Sequence, residues 1–228
     1  MHTARILGLV AVLSSSTSAM AEGEDAISTV DKLREKGYSV TSITPIFGQL
    51  LKMSYPRAFV PAFVTTKADF YIQESVPTGE SINGWTQMIS VTGRRDLATK
   101  PDATPKAFLN ALAGGFKVAC PSSYSVTLLS ENKLNGYDAA VAVVSCGVSP
   151  TTAGKTSETA LIAVIKGQTD VYTVQWAERA APSNIPMQID VGKWQDRFKT
   201  LSPIKLCPIV PGEKAPYPSC VGGEKSAT

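Results

Sequence analysis

The sequence predicts an α+β domain: an antiparallel sheet packed against two or three helices and stapled by disulfides. Three observations carry this. Strand-like runs follow one another across turns of a few residues, the mark of antiparallel pairing. Two longer stretches place apolar residues at helical spacing, and such stripes must be buried against another element. Four cysteines, Cys120, Cys146, Cys207 and Cys220, form an even set.

Taken in order, residues 22–36 carry Ile27, Val30 and Leu33 at helical spacing, with acidic residues early and basic ones late, matching the helix dipole. Gly37 is suited to end that helix. Residues 38–44 alternate as a short strand, and 47–53 fit helix and strand equally. Residues 59–65 and 69–76 are β-rich runs with a turn at Thr66-Lys67-Ala68, followed by a second turn at 77–80. Residues 85–92 alternate, with Trp85, Gln87, Ile89 and Val91 on one face.

Thr104-Pro105 opens the best helix, 105–117, with Phe108, Leu109, Leu112 and Phe116 as its stripe; Gly114-Gly115 weakens its last turn. Residues 125–129 form a short strand. Residues 137–146 and 159–165 are apolar on both faces, as central strands are. A hairpin turn at 166–170 leads into 171–177, with Tyr172, Val174 and Trp176 on one face. Residues 186–201 repeat Ile189, Val191, Trp194, Phe198 and Leu201 as a rough helical stripe. From Ser202 the chain is Pro-rich, so an extended, irregular tail is expected.

Arg5, the apolar run 6–13 and Ala19-Met20-Ala21 together read as a cleavable secretory signal over 1–21. The expected organisation is then a signal over 1–21, one α+β domain over 22–202 and a Pro-rich C-terminal extension over 203–228. The expected location is periplasmic or secreted. In an oxidising compartment the cysteines pair, and Cys120–Cys146 and Cys207–Cys220 are the favoured pairs because both are local. The apolar run is far short of the ~20 residues that cross a bilayer, so no transmembrane segment is expected.

Removal of the signal takes away His2, the only histidine. That excludes Ser-His-Asp and Cys-His catalysis and His-based zinc sites. No phosphate loop, Walker sequence, EF-hand or C-x-x-C appears, so neither cofactor nor metal is expected. Basic and acidic residues are nearly balanced and well mixed, which argues against nucleic acid as a partner.

What remains is thin. Trp85 and Trp176, with Arg94 and Arg95 after the strand at 85–92, are the candidate binding surface. The competing reading packs the tryptophans, Trp194 included, in the core. Glu74, Glu80, Glu158 and Glu178 lie at strand ends or turns, where a pair of them would suit a carboxylate-based hydrolase acting on cell-envelope material. Lys155 and Ser157 are close enough in sequence for a Ser-Lys dyad. The function expected is that of an exported, non-catalytic binding or accessory protein, with the hydrolase as the alternative.

The paired strands at 59–76, the strand with Trp85-Thr86-Gln87-Met88, the helix 105–117, the hairpin 158–177 and the final helix near 187–200 together resemble the PsbP-like α/β sandwich family. The resemblance is one of layout over most of the chain. It implies the sandwich fold and, because such proteins mostly dock on other proteins or support assemblies, a partner that is another envelope or extracellular protein. It carries over no functional residue.

Overall fold

The computed structural model describes residues 40–221; the signal expected over 1–21, the helix expected over 22–36 and the first two residues of the expected strand 38–44 lie outside them. Two antiparallel sheets and three helices make up the fold. The smaller sheet begins as a hairpin of β1 (Val40–Ile46) and β2 (Gln49–Tyr55), paired from Val40↔Tyr55 to Ile46↔Gln49. Phe47-Gly48 makes the turn, with Phe47 at φ 52°. The ambiguous stretch 47–53 is therefore turn and strand. Its apolarity has a simple cause: Leu51 and Met53 enter the main core, while Leu50 packs on the other side against Cys207 and Cys220.

The larger sheet has seven strands: β3 (Phe59–Lys67), β4 (Phe70–Pro77), β5 (Gln87–Arg94), β6 (Tyr124–Leu134), β7 (Tyr137–Cys146), β8 (Ser157–Lys166) and β9 (Val171–Ala180). Their spatial order is β3-β4-β5-β9-β8-β7-β6. The β3–β4 turn is tighter than expected: Lys67 pairs with Phe70, leaving Ala68-Asp69 as the turn, with Ala68 at φ 46°. β6 is an eleven-residue strand rather than a short one. Its polar second half, Ser130-Glu131-Asn132-Lys133, hides the strand pattern because an edge strand can keep polar side chains in water. Asn135 and Gly136, at φ 50° and 87°, close the β6–β7 hairpin, as the primed two-residue turn requires.

Helix α1 (Pro105–Ala119) starts where the sequence indicates, with the Ala107 N–H donating to Thr104 Oγ1 at 3.1 Å. It lies on the outer face of β7 and β8. Leu109, Ala113, Phe108, Leu112 and Phe116 meet Ala140, Ala142, Val144, Ala160, Ile162 and Val164 there. Helix α2 (Val191–Leu201) begins five residues later than expected, because Asp190 caps it by accepting from the Lys193 N–H at 3.0 Å. It joins the smaller sheet on the inner face, where Trp194 and Leu201 pack with Leu161, Ile165, Tyr172, Val174, Ile89 and Val91. The helices thus cover opposite faces of the larger sheet. That is why β7 and β8 are apolar on both sides.

The Pro-rich segment after Ser202 is not irregular. Strand β10 (Lys205–Pro208) pairs with β2 from Lys205↔Lys52 to Pro208↔Gln49, and Pro218–Val221 forms a short α3. Ile204, Leu206, Cys207 and Cys220 are buried. Prolines mask the strand: Pro203 precedes it, Pro208 ends it, Pro211 and Pro216 fall in the loop to α3, and Pro218 opens α3. The disulfides are the two favoured from sequence: Cys120–Cys146 joins the end of α1 to β7, and Cys207–Cys220 joins β10 to α3.

The two sheets are locked by a buried carboxylate. Asp170, 1 % exposed in the β8–β9 turn, reaches into the β1–β2 turn. It accepts from the Gly48 N–H at 2.9 Å, the Asp96 N–H at 2.8 Å and the Tyr172 hydroxyl at 3.1 Å. Beside it, Gln49 accepts from the Gln168 N–H at 2.8 Å and donates to the Tyr137 hydroxyl at 2.8 Å. Burial, then the charge of Asp170, pushes the Tyr172 hydroxyl well above the usual phenol range.

Candidate functional site

α1 shields only part of the outer sheet face. The outward residues of β4, β5 and β9 stay open, and most are polar or small: Glu74, Ser90, Thr92, Gln175 and Ala177. They floor a hollow of about 420 Å³ whose wall is Trp85 and Ile82, from the loop before β5. That loop is fixed at its base: the Glu80 carboxylate accepts from both the Thr86 N–H and the Thr86 hydroxyl, each at 2.6 Å. At the end of β9, the Arg179 guanidinium stacks 3.6 Å over the Trp85 ring. Glu158 Oε2 lies 3.5 Å from Arg179 Nε, and Arg179 also donates to Thr151 Oγ1 at 3.3 Å. A planar cation stacked on an indole, with a carboxylate beside it and a hydroxyl accepting from it, is an amphipathic platform. Past Phe116, Thr151 and Glu158 the hollow runs into a second, more apolar one of about 270 Å³ under Leu112, Ala119 and Pro150.

Two hollows elsewhere are less open to a ligand chemically. In the one of about 470 Å³ beside the tail, Lys52 is engaged in capping the carbonyls of Cys220 and Val221, both at 3.3 Å. In the one of about 380 Å³ at the start of α1, Lys106 and Lys133 are ion-paired with Glu131 and Asp138 at 2.8 and 3.0 Å.

The four residues singled out from sequence do not form one surface. Trp85 lines the hollow. Trp176 lies on the opposite face, 7 % exposed, edge-on to Phe59 at 5.4 Å, its Nε1–H donating to Gln87 Oε1 at 2.9 Å. Strand alternation put it there, in phase with Tyr172 and Val174. Arg197 from α2 stacks over both Trp176 and Trp194, at 4.9 and 4.6 Å, so these two tryptophans are structural. Arg94 and Arg95 stand at the far end of β5, roughly 25 Å of strand from Trp85. There they stack on Phe70 at 4.1 Å and Phe47 at 4.6 Å. Arg179 is the residue that sequence reasoning missed. The signal was present: it continues the Thr173, Gln175, Ala177 phase two residues past the expected end of the strand.

The carboxylates are likewise dispersed. Glu80 is engaged by Thr86, and Glu178 is paired with Lys193 and with Arg197, the latter at 2.5 Å. Glu74 and Glu158 do share the hollow. The register Glu74↔Ser90↔Gln175↔Ile162 puts Glu158 three strands across and four residues along. That is roughly 14 Å by 13 Å between backbones, against about 5–10 Å between the carboxyls of glycoside hydrolases. Ser157 is buried and Lys155 exposed. Among the described residues no three of His, Cys, Asp and Glu cluster to hold a metal, and no helix is long and apolar enough to cross a membrane.

Burial raises the Glu74 carboxyl above the ordinary carboxylate range. The sign follows: the folded state holds this proton more tightly, so the ionised form costs stability above that range, and the cost vanishes as pH falls through it. Glu74→Gln is therefore expected to melt slightly higher than the parent at pH 7 and equally at pH values below the carboxylate range. Paired thermal melts check this; a variant that melts lower at pH 7 contradicts it.

No family model matches the chain. No curated protein matches it either. Three solved structures share part of its layout. One is a protein from Bacteroides thetaiotaomicron, 13% identical over 72% of this chain and 47% of that one, with a TM-score of 0.39. Another is the Ran-binding protein Mog1p of Saccharomyces cerevisiae, 10% identical over 70% and 84%, TM-score 0.38. The third is a protein of unknown function from Pseudomonas aeruginosa, 14% identical over 72% and 96%, TM-score 0.35. The chain thus spans about half the length of the first. At this similarity neither a family nor a role passes to it.

Proposed function

We propose that this protein is an exported, non-catalytic binding or accessory protein of the periplasm or extracellular space, which docks on another envelope or extracellular protein through the open outer face of β4, β5 and β9. The observation that carries this is the Trp85–Arg179–Glu158 stack: a preorganised aromatic and cationic platform beside a polar floor, with its carboxylates too far apart for paired acid–base work. Such platforms supply binding energy at little cost in side-chain freedom. The two disulfides agree with an oxidising compartment. The resemblance of the layout to PsbP-like sandwiches, which mostly dock on other proteins, points the same way.

The test is a comparison of capture from envelope extract by the parent protein and by Trp85→Ala, with circular dichroism showing that the variant is folded. The expected result is a specific partner whose recovery falls at least tenfold with the variant. Equal recovery by both, or turnover of envelope material by the parent, overturns the proposal.

A further inference from the structure

Four strands form sheet edges among the described residues: β1, β10, β3 and β6. An unpaired edge exposes a row of backbone donors and acceptors, and proteins blunt such edges with prolines, charges, bulges or covering chain. β1 carries Pro45. β10 has four residues and ends at Pro208. β6 carries Glu131 and Lys133, and the Ser125 hydroxyl bonds the Met187 carbonyl at 2.9 Å, which lays the chain before α2 against it. On β3 the blunting is confined to the first half, where Pro61 stands and the register slips at Ala62. From Phe63↔Glu74 to Lys67↔Phe70 the pairing is regular for five residues, and only the last of them is charged. Phe63 and Val64 are 39 % and 61 % exposed, large values for apolar side chains.

We infer that the 63–67 edge of β3 accepts an extended segment of a partner as an eighth strand of the larger sheet. The charges beside the edge define that segment. At one end, Glu74 stands next to Phe63 on the outer face. A basic residue on the added strand would lie over the Phe63 ring, about 10 Å from the β4 backbone, within reach of the Glu74 carboxylate along a lysine side chain. At the other end, exposed Lys67 calls for an acidic residue. Between them the segment is uncharged and β-branched, to match Val64, Thr65 and Thr66. The partner is thus an unstructured stretch of protein with a basic and an acidic residue four positions apart, matching the separation of Phe63 and Lys67. Main-chain hydrogen bonds supply its affinity and the two charges its register. This edge adjoins the Trp85 hollow, whose floor shares Glu74 with it. It deepens the binding reading by naming the chemistry of a partner segment.

The test uses the intact, disulfide-bonded protein and the synthetic peptide acetyl-KTVTE-amide, followed by amide chemical shifts. Saturable shifts confined to residues 63–67 and their β4 neighbours are expected. Two isomers of the peptide, N-methylated on alternate residues, separate strand addition from adhesion. Only one peptide edge faces β3, so one isomer loses at least tenfold in affinity and the other keeps it. Lys67→Glu makes both ends of the edge acidic and is expected to shift the preference at least fivefold toward acetyl-KTVTK-amide. Absence of saturable shifts at millimolar peptide, equal binding of the two isomers, or an unchanged preference in Lys67→Glu overturns the inference. Because the probe is synthetic, its failure leaves the capture test with Trp85→Ala standing, and failure of that test leaves this one readable.

Discussion

Asp170→Ala is expected to lower the free energy of unfolding by about 3–5 kcal/mol, the largest effect of any single polar substitution in the fold. The carboxylate serves three donors at once: the N–H groups of Gly48 and Asp96 and the Tyr172 hydroxyl. These come from three separate parts of the chain and meet where solvent is excluded. A buried donor left without an acceptor costs about 1–3 kcal/mol. Tyr172 retains an alternative acceptor, the Ile46 carbonyl at 3.1 Å, which is why the sum is set below three full penalties. Asp170→Asn tests the same point more finely. It keeps the shape but turns an amide N–H₂ toward one of the backbone donors, so it should recover only part of the loss. Urea denaturation of both variants gives the values. A loss below about 1.5 kcal/mol for the alanine variant would show that water replaces the carboxylate and that the sheets are held by apolar contact alone.

Replacing Cys120 and Cys146 together with alanine is expected to cost about 3–4 kcal/mol, from the chain freedom restored to an unfolded loop spanning a separation of 26 residues. Removing Cys207–Cys220, with a separation of 13, should cost about 3 kcal/mol. The first bond has a further role. It anchors the end of α1 to β7, beside the apolar extension of the hollow, whose lining includes Cys146 and Ala119. Its loss should therefore loosen amide protection at 115–119 before the rest of the protein opens, which hydrogen exchange can read. If protection falls evenly across the chain, the bond acts only through the unfolded state. Protein made in a reducing compartment should show the combined loss.

The fold was legible wherever one pattern had one cause. β7 and β8 are apolar on both faces because a helix covers one and the smaller sheet the other, which buries Ala140 and Val141 together. α1 announced itself through Thr104 and Pro105, whose effect is local. The pattern failed where tertiary pairing overrode local composition. Nothing in Lys205-Leu206-Cys207-Pro208 indicates a strand until β2 is beside it. The second half of β6 looks like a loop because water takes its side chains, and the Asn135-Gly136 turn that joins it to β7 is established only by the structure. The candidate site was half legible for the same reason. Trp85 is conspicuous as a residue type, but its partner Arg179 is separated from it by 94 positions and is brought over it only by the β5–β9 pairing. The expected strand 85–92 puts Trp85 in phase with Ile89 and Val91, the face that Trp176 shares; the strand begins only at Gln87, and the loop before it carries Trp85 to the other face.

The place of β10 has a consequence for how this protein is made. Lys52 and Lys205 are neighbours in the smaller sheet, yet nearly the whole domain is synthesised between them. A chain synthesised from its N-terminus cannot complete that sheet until Lys205–Pro208 has been made. Contacts so distant in sequence form slowly. The segment that looked like an appendage therefore acts as a latch on timing: until it arrives, β2 is paired with β1 on one side only.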